Sequence, residues 1–118
     1  VLGGLEVSEK GDFANWSLGD VKRSSIGGAM DLAVGAKRVI VVMKHVTNDG
    51  RPRVVKECHY PLTAKECVNL LITDLAVIEV TKEGLLLREV APGWTPHEVQ
   101  SMTEPKLIID RNVAEIEL

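Results

Sequence analysis

The chain has 118 residues, 45% hydrophobic and 26% charged, which suits one globular domain with a modest core and argues against disordered or collagen-like polymers. A formal net charge of -3, with two Trp, one Tyr and one Phe, offers neither a basic field nor a stacking surface, so nucleic acid is not an expected partner. No apolar run reaches the roughly 18 residues of a membrane helix, and Cys58 and Cys67, too far apart for a CxxC pair, read as reduced thiols of the cytoplasm or, alternatively, the mitochondrial matrix.

Residues 1–7, VLGGLEV, read as one buried strand already under way, an opening that predicts a piece of a longer protein. Residues 8–25 carry Gly11, Asn15, Gly19 and Ser24-Ser25 and read as a long loop, a length that in a small domain points to function. Apolar residues at helical spacing predict a short helix over 28–36, with Gly35 as its stop. The run VIVVM at 39–43 is apolar on both faces and predicts a central strand covered on each side. TNDGRP at 47–52 predicts a tight hairpin turn, with 53–58 as the returning strand.

Thr63-Ala64-Lys65-Glu66 and Thr95-Pro96-His97-Glu98 both fit the capping box, so each predicts a helix start; the second adds proline at the first helical position. From Thr63, the residues Cys67, Val68, Leu70 and Leu71 line one side of the first helix. Residues 72–80 and 85–90 predict strands around a turn at 82–84, and the end of the chain adds one strand and a tail. This order implies an α/β layered domain with a mixed sheet and flanking helices, whose ligands gather beyond the carboxyl ends of strands.

Several residue groups have both a chemical and a structural reading. Gly27-Gly28 at the mouth of a helix either offers main-chain N–H donors to an oxyanion or simply permits a tight turn. The polar residues Glu6, Ser8, Glu9, Lys10 and Asp12 include carboxylates able to act as acid, base or nucleophile if buried, and otherwise solvated loop charges. Asn15 beside Trp16 either contacts a ligand or forms an Asx-turn over a core indole. His45, His59 and His97 are scattered; only the adjacent Cys58-His59 combines ligand types, with side chains expected on opposite faces of a strand, so no metal site is expected.

The strings VLGGLEVSEKGDFANW, GGAMDLAVGAKRVIVVMKH, KECHYPLTAKECVNLLITDLAVIEV and LLLREVAPGWT resemble the carboxyl-terminal part of the beta subunit of 3-oxoacid coenzyme A transferases, the succinyl-CoA:3-ketoacid type. The likeness is collinear over residues 1–105, an incomplete domain of the NagB/RpiA/CoA transferase-like fold; residues 106–118 are a terminal strand and tail outside it. The resemblance implies transfer of coenzyme A from an acyl-CoA, typically succinyl-CoA, to a 3-oxoacid such as acetoacetate or 3-oxoadipate, through an enzyme glutamyl-CoA thioester. It implies that the Gly28 main-chain N–H is an oxyanion donor, that Gly27, Ala29 and Met30 approach the thioester end of the coenzyme, and that Asn15 contacts coenzyme A. It implies an alpha subunit or domain as partner in a hetero- or homo-oligomer, with the coenzyme as substrate and no permanently bound cofactor.

The departures from the family are informative. Its nucleophilic glutamate lies in a Ser-Glu-Asn-Gly motif that does not occur in these 118 residues, and Glu9 in Ser8-Glu9-Lys10-Gly11 imitates it poorly, so this chain by itself is expected to be inactive. Gly4-Leu5-Glu6 stands where many relatives carry Ala-Met-Gln. Two other readings of the same fold are a non-catalytic coenzyme A or nucleotide-binding module and half of a sugar-phosphate isomerase-like domain.

Overall fold

A computed structural model describes residues 1–14, 38–59 and 62–115. Their strands are β1 (Leu2–Gly3), β2 (Glu6–Ser8), β3 (Phe13–Ala14), β4 (Val39–Met43), β5 (Val54–Val55), β6 (Val68–Thr73), β7 (Ala76–Thr81), β8 (Gly84–Val90) and β9 (Ile108–Glu115), with helix α1 at Pro96–Ser101. They form a six-stranded sheet in the order β1-β4-β6-β7-β8-β9 and a three-stranded sheet in the order β3-β2-β5. In the larger sheet β1, β4 and β6 run parallel, β7 and β8 turn antiparallel, and β9 returns parallel to β8. The mixed sheet expected from the element order is the one that forms.

Residues 1–7 are not one strand. Val1 is 86% exposed, Leu2–Gly3 pairs with β4, and Glu6–Ser8 joins the smaller sheet. Gly4 makes the passage between sheets: a Cβ there would meet Val41 Cγ1 at 2.7 Å and the Phe13 ring at 3.2 Å, so only a bare backbone passes so close. The loop expected over 8–25 is interrupted at its start by β3, whose Phe13 is fully buried. The helix expected over 28–36 lies outside the described residues.

β4 is central, between β1 and β6, but its faces are unequal: Val39, Val41 and Met43 are buried while Val42 is 44% exposed. The turn at 47–52 forms as the Asp-Gly pair dictates, with Gly50 at φ +86° and the Thr47 N–H donating to the Arg51 carbonyl at 2.8 Å. The hairpin does not extend beyond it. The following segment pairs as β5, parallel to β2 in the other sheet, and the strand is Val54–Val55 rather than 53–58.

The two capping boxes part company. At Thr95 both reciprocal bonds are present and α1 follows with Pro96 in its first turn. At Thr63 no helix starts. The main-chain N–H groups of Thr63 and Ala64 donate to the Phe13 carbonyl at 2.7 and 3.2 Å, Glu66 takes φ +48°, and Val68, Leu71 and Thr73 turn inward from β6. A cap stabilises a helix by about 1 kcal/mol, less than the edge pairing and burial that hold this segment extended. The strand expected over 72–80 is likewise two strands, divided at Asp74-Leu75, where the Thr73 hydroxyl accepts the N–H groups of Leu75 and Ala76 at 3.1 Å each.

One hydrophobic cluster joins both sheets and the helix. Val7, Phe13 and Val54 from the small sheet meet Val41, Leu71, Ile78 and Leu87 from the large one, and Val99 closes it from α1.

Candidate functional site

The carboxyl ends of the parallel strands β1 and β4 open into a cleft of about 350 Å³, lined by Leu5 and Glu6 after β1, by Arg51 and Arg53 after β4, and by His59 and Glu104. A crevice beyond the ends of parallel strands is where open α/β sheets place ligands. The order of the strands therefore brings together residues that the sequence keeps far apart.

Glu6 is the fixed point of the cleft. Its side chain is only 6% exposed, one carboxylate oxygen accepts the His59 main-chain N–H at 2.7 Å, and the other meets His59 Nδ1 at 2.9 Å. A carboxylate only accepts, so the proton lies on Nδ1. The bond to Glu6 and its negative charge raise the His59 pKa above the ordinary imidazole value; Glu104 adds to the rise, while slight burial and Arg51 oppose it. The result is a carboxylate–imidazole pair with a buried acidic end and an exposed ring.

The polar cluster of 6–12 is divided by the fold. Glu6 faces the cleft, whereas Glu9 and Lys10 form an exposed turn closed by Gly11 at φ +86°, with the buried Ser8 hydroxyl accepting the N–H groups of Lys10 and Asp12. Glu9 and Lys10 line a separate groove with Glu66, Asn69 and Lys82. Glu9 therefore does not stand beside Glu6.

The three histidines occupy three environments, and among the described residues no cluster of metal-binding side chains occurs. His97 is exposed on α1. His45, just past β4, is fully buried: Nδ1 is 2.8 Å from the Thr73 hydroxyl and Nε2 is 2.7 Å from the Thr103 hydroxyl. Thr103 donates its proton to the Val99 carbonyl at 2.7 Å, so it can only accept from the imidazole, which places the ring proton on Nε2. Thr73 already accepts two N–H groups, and its hydroxyl proton serves Nδ1 rather than the Ala76 carbonyl at 3.5 Å. Neutral His45 thus links β4, the β6–β7 turn and the end of α1.

Cys58 and His59 lie beyond β5, not on a strand, and their side chains are directed to different partners, His59 Nδ1 to Glu6 and the Cys58 thiol to the Asp12 carbonyl. The Cys58 thiol points to the Asp12 carbonyl at 3.8 Å, and burial together with the charges of Glu6 and Asp12 pushes its pKa up to about 12. Burial also raises the Cys67 thiol. Alkylation of Cys58 by iodoacetamide is expected to be roughly 100- to 1000-fold slower in the folded protein than in urea, because only the thiolate reacts. Peptide-resolved mass spectrometry measures this, and equal rates in the two states would contradict the described setting.

Asn15, Gly27, Gly28, Ala29 and Met30 lie outside the described residues. Glu6 and Arg53 are the cleft residues least visible in the sequence: Glu6 reads equally well as a loop charge, and nothing in the sequence connects Arg53 to a residue so far upstream. The local hint is Gly3-Gly4, which marks where the chain leaves β1.

The coenzyme A transferase family profile matches residues 1–101. The chain belongs to the coenzyme A transferase family. It is 46% identical over 110 residues to the beta subunit of a probable coenzyme A transferase of Bacillus subtilis, an alignment covering 93% of this chain and 51% of that protein. It is 48% identical over 109 residues to one of the subunits of the 3-oxoadipate CoA-transferase of Pseudomonas putida, covering 92% and 51%. The chain thus spans about half the length of the curated relatives it matches. An acyl-CoA transferase from Escherichia coli O157:H7 superposes with a TM-score of 0.80 at 18% identity, over 98% of this chain and 27% of that one, and so shares the fold. The layered α/β architecture is accordingly that of coenzyme A transferases, present here as part of the domain.

Proposed function

We propose that these residues form part of the beta subunit of a coenzyme A transferase that moves coenzyme A from an acyl-CoA, such as succinyl-CoA, to a 3-oxoacid. The observation that carries this reading is the family match over residues 1–101, joined to 46% identity with a subunit of a probable coenzyme A transferase and 48% with a subunit of a 3-oxoadipate CoA-transferase. A cleft beyond the ends of β1 and β4 suits it.

In the proposed reaction a glutamate outside these 118 residues attacks the thioester carbonyl. The carbonyl oxygen becomes an oxyanion, held by the Gly28 N–H, and collapse expels the coenzyme A thiolate to leave a mixed anhydride. The thiolate then attacks the glutamyl carbonyl, releasing the donor acid and forming a glutamyl-CoA thioester; the acceptor carboxylate reverses both steps. Gly27, Ala29, Met30 and Asn15 are assigned to the coenzyme, and an alpha subunit or domain completes the site.

Full-length protein assembled with its partner, incubated with acyl-CoA and then treated with hydroxylamine or borohydride, is expected to carry one modified glutamate, located by peptide mass spectrometry. No modification, with coenzyme A binding intact, would favour the non-catalytic binding module instead.

A further inference from the structure

Of the charged side chains that line the cleft, all but one are engaged. Glu6 and His59 hold each other, Arg51 pairs with Asp49 at 3.1 Å, and Glu104 accepts the Lys56 main-chain N–H at 2.9 Å. Arg53 is half-buried and lines the cleft, yet among the described residues its guanidinium has no ion-pair or hydrogen-bond partner. A half-buried guanidinium that lines a cleft with no direct hydrogen-bond partner keeps its fork of N–H donors available to an anionic ligand.

We infer that Arg53 binds a carboxylate of the acid substrate remote from the carboxylate that reacts, so that the cleft selects dicarboxylic over monocarboxylic acids. The inference rests on the transferase reading above and adds a specificity residue to it. Charge decides between the oxyanions available. One planar guanidinium matches one carboxylate through paired N–H bonds, whereas a dianionic phosphate would face the carboxylates of Glu6 and Glu104 with a single free cation opposite it. His59, held by Glu6, borders the same space with its exposed edge.

The main chain of Arg53 carries the structural contacts: its N–H donates to the His45 carbonyl at 2.9 Å and its carbonyl accepts from Val7 at 3.1 Å. Replacing the side chain leaves both bonds in place, so Arg53→Met is expected to fold, and Arg53→Lys keeps the charge without the fork.

The test uses the full-length protein assembled with its partner, with succinate and butyrate as acceptors of equal carbon count. Arg53→Met is expected to lower the succinate-over-butyrate ratio of kcat/KM by roughly 10- to 100-fold, the scale of one lost charged hydrogen-bonding group, with Arg53→Lys in between. An unchanged ratio, or an equal fall for both acids, would overturn the inference. A change confined to the KM difference between coenzyme A and dephospho-coenzyme A would overturn it too, by assigning Arg53 to a phosphate. If the wild-type assembly transfers no coenzyme A, the reaction reading fails separately, and calorimetric titration with succinate decides the cleft. Binding weakened at least about tenfold by Arg53→Met sustains the inference; equal heats, or none from either protein, defeat it.

Discussion

Lowering the pH from 6.5 to 4 is expected to cost the folded chain about 3 kcal/mol through His45 alone, because burial lowers its pKa from 6.5 to about 4 while the nearby Asp74 opposes the drop only in part. The unfolded chain takes up a proton at His45 as the pH falls through 6.5, and the folded chain does not until about 4. Across that window the unfolded state holds more protons, so stability declines with falling pH. The hydrogen bonds give the same sign: a proton on Nδ1 would meet a Thr73 oxygen that already accepts two N–H groups, and the Thr73 proton would have to turn toward the more distant Ala76 carbonyl.

Other groups titrate over the same range, and His59 works in the opposite sense. Its raised pKa contributes stability below the ordinary imidazole value that is lost as pH rises, but its ring is largely exposed and the effect is correspondingly weak. The informative quantity is therefore a difference: urea unfolding of full-length protein and of His45→Gln, each followed from pH 7 to pH 4. The wild type is expected to lose stability more steeply, by close to one proton in slope near pH 5, and nitrogen NMR is expected to find the His45 proton on Nε2. Parallel pH profiles would contradict the buried neutral imidazole.

For the proposed reaction, Gly28→Val is expected to lower turnover of the full-length protein assembled with its partner by roughly 100- to 1000-fold, the usual consequence of disabling one oxyanion donor, the role proposed for the Gly28 N–H. The role of Gly28 comes from its place in the family-like string GGAMDL. In the proposed role, a β-branched side chain in place of glycine restricts the backbone that presents the N–H and crowds the approach of the thioester. An interaction made chiefly in the transition state is lost from kcat rather than from KM, so the KM for acyl-CoA is expected to change little. Measured kcat close to wild type would remove Gly28 from the reaction.

Local patterns fixed much of this protein. The apolar run of β4, the Asp-Gly turn at 47–52, the Thr95 capping box with Pro96, and the β7–β8 turn each depend on residues within a few positions of one another, so their own period and turn chemistry are sufficient. The Thr63 box shows where such reasoning stops: its four residues specify a helix start, but the Phe13 carbonyl, 50 positions upstream, takes its N–H groups first. The split of 1–7 is of the same kind, since whether Gly4 continues a strand depends on Val41 and Phe13 pressing against it.

The sequence alone determined the family, because long collinear strings record it irrespective of which segment pairs with which. Only the tertiary structure decided which charges matter. Glu6 is a buried anchor and not a loop charge because the chain leaving β1 delivers it beneath His59; Arg53 lines the cleft because its main chain is held between His45 and Val7; His45 stays neutral because Thr73 and Thr103 converge on it from β6 and from beyond α1. Desolvation and pairing depend on neighbours in space, and chain position does not encode that neighbourhood until the strands have chosen their order.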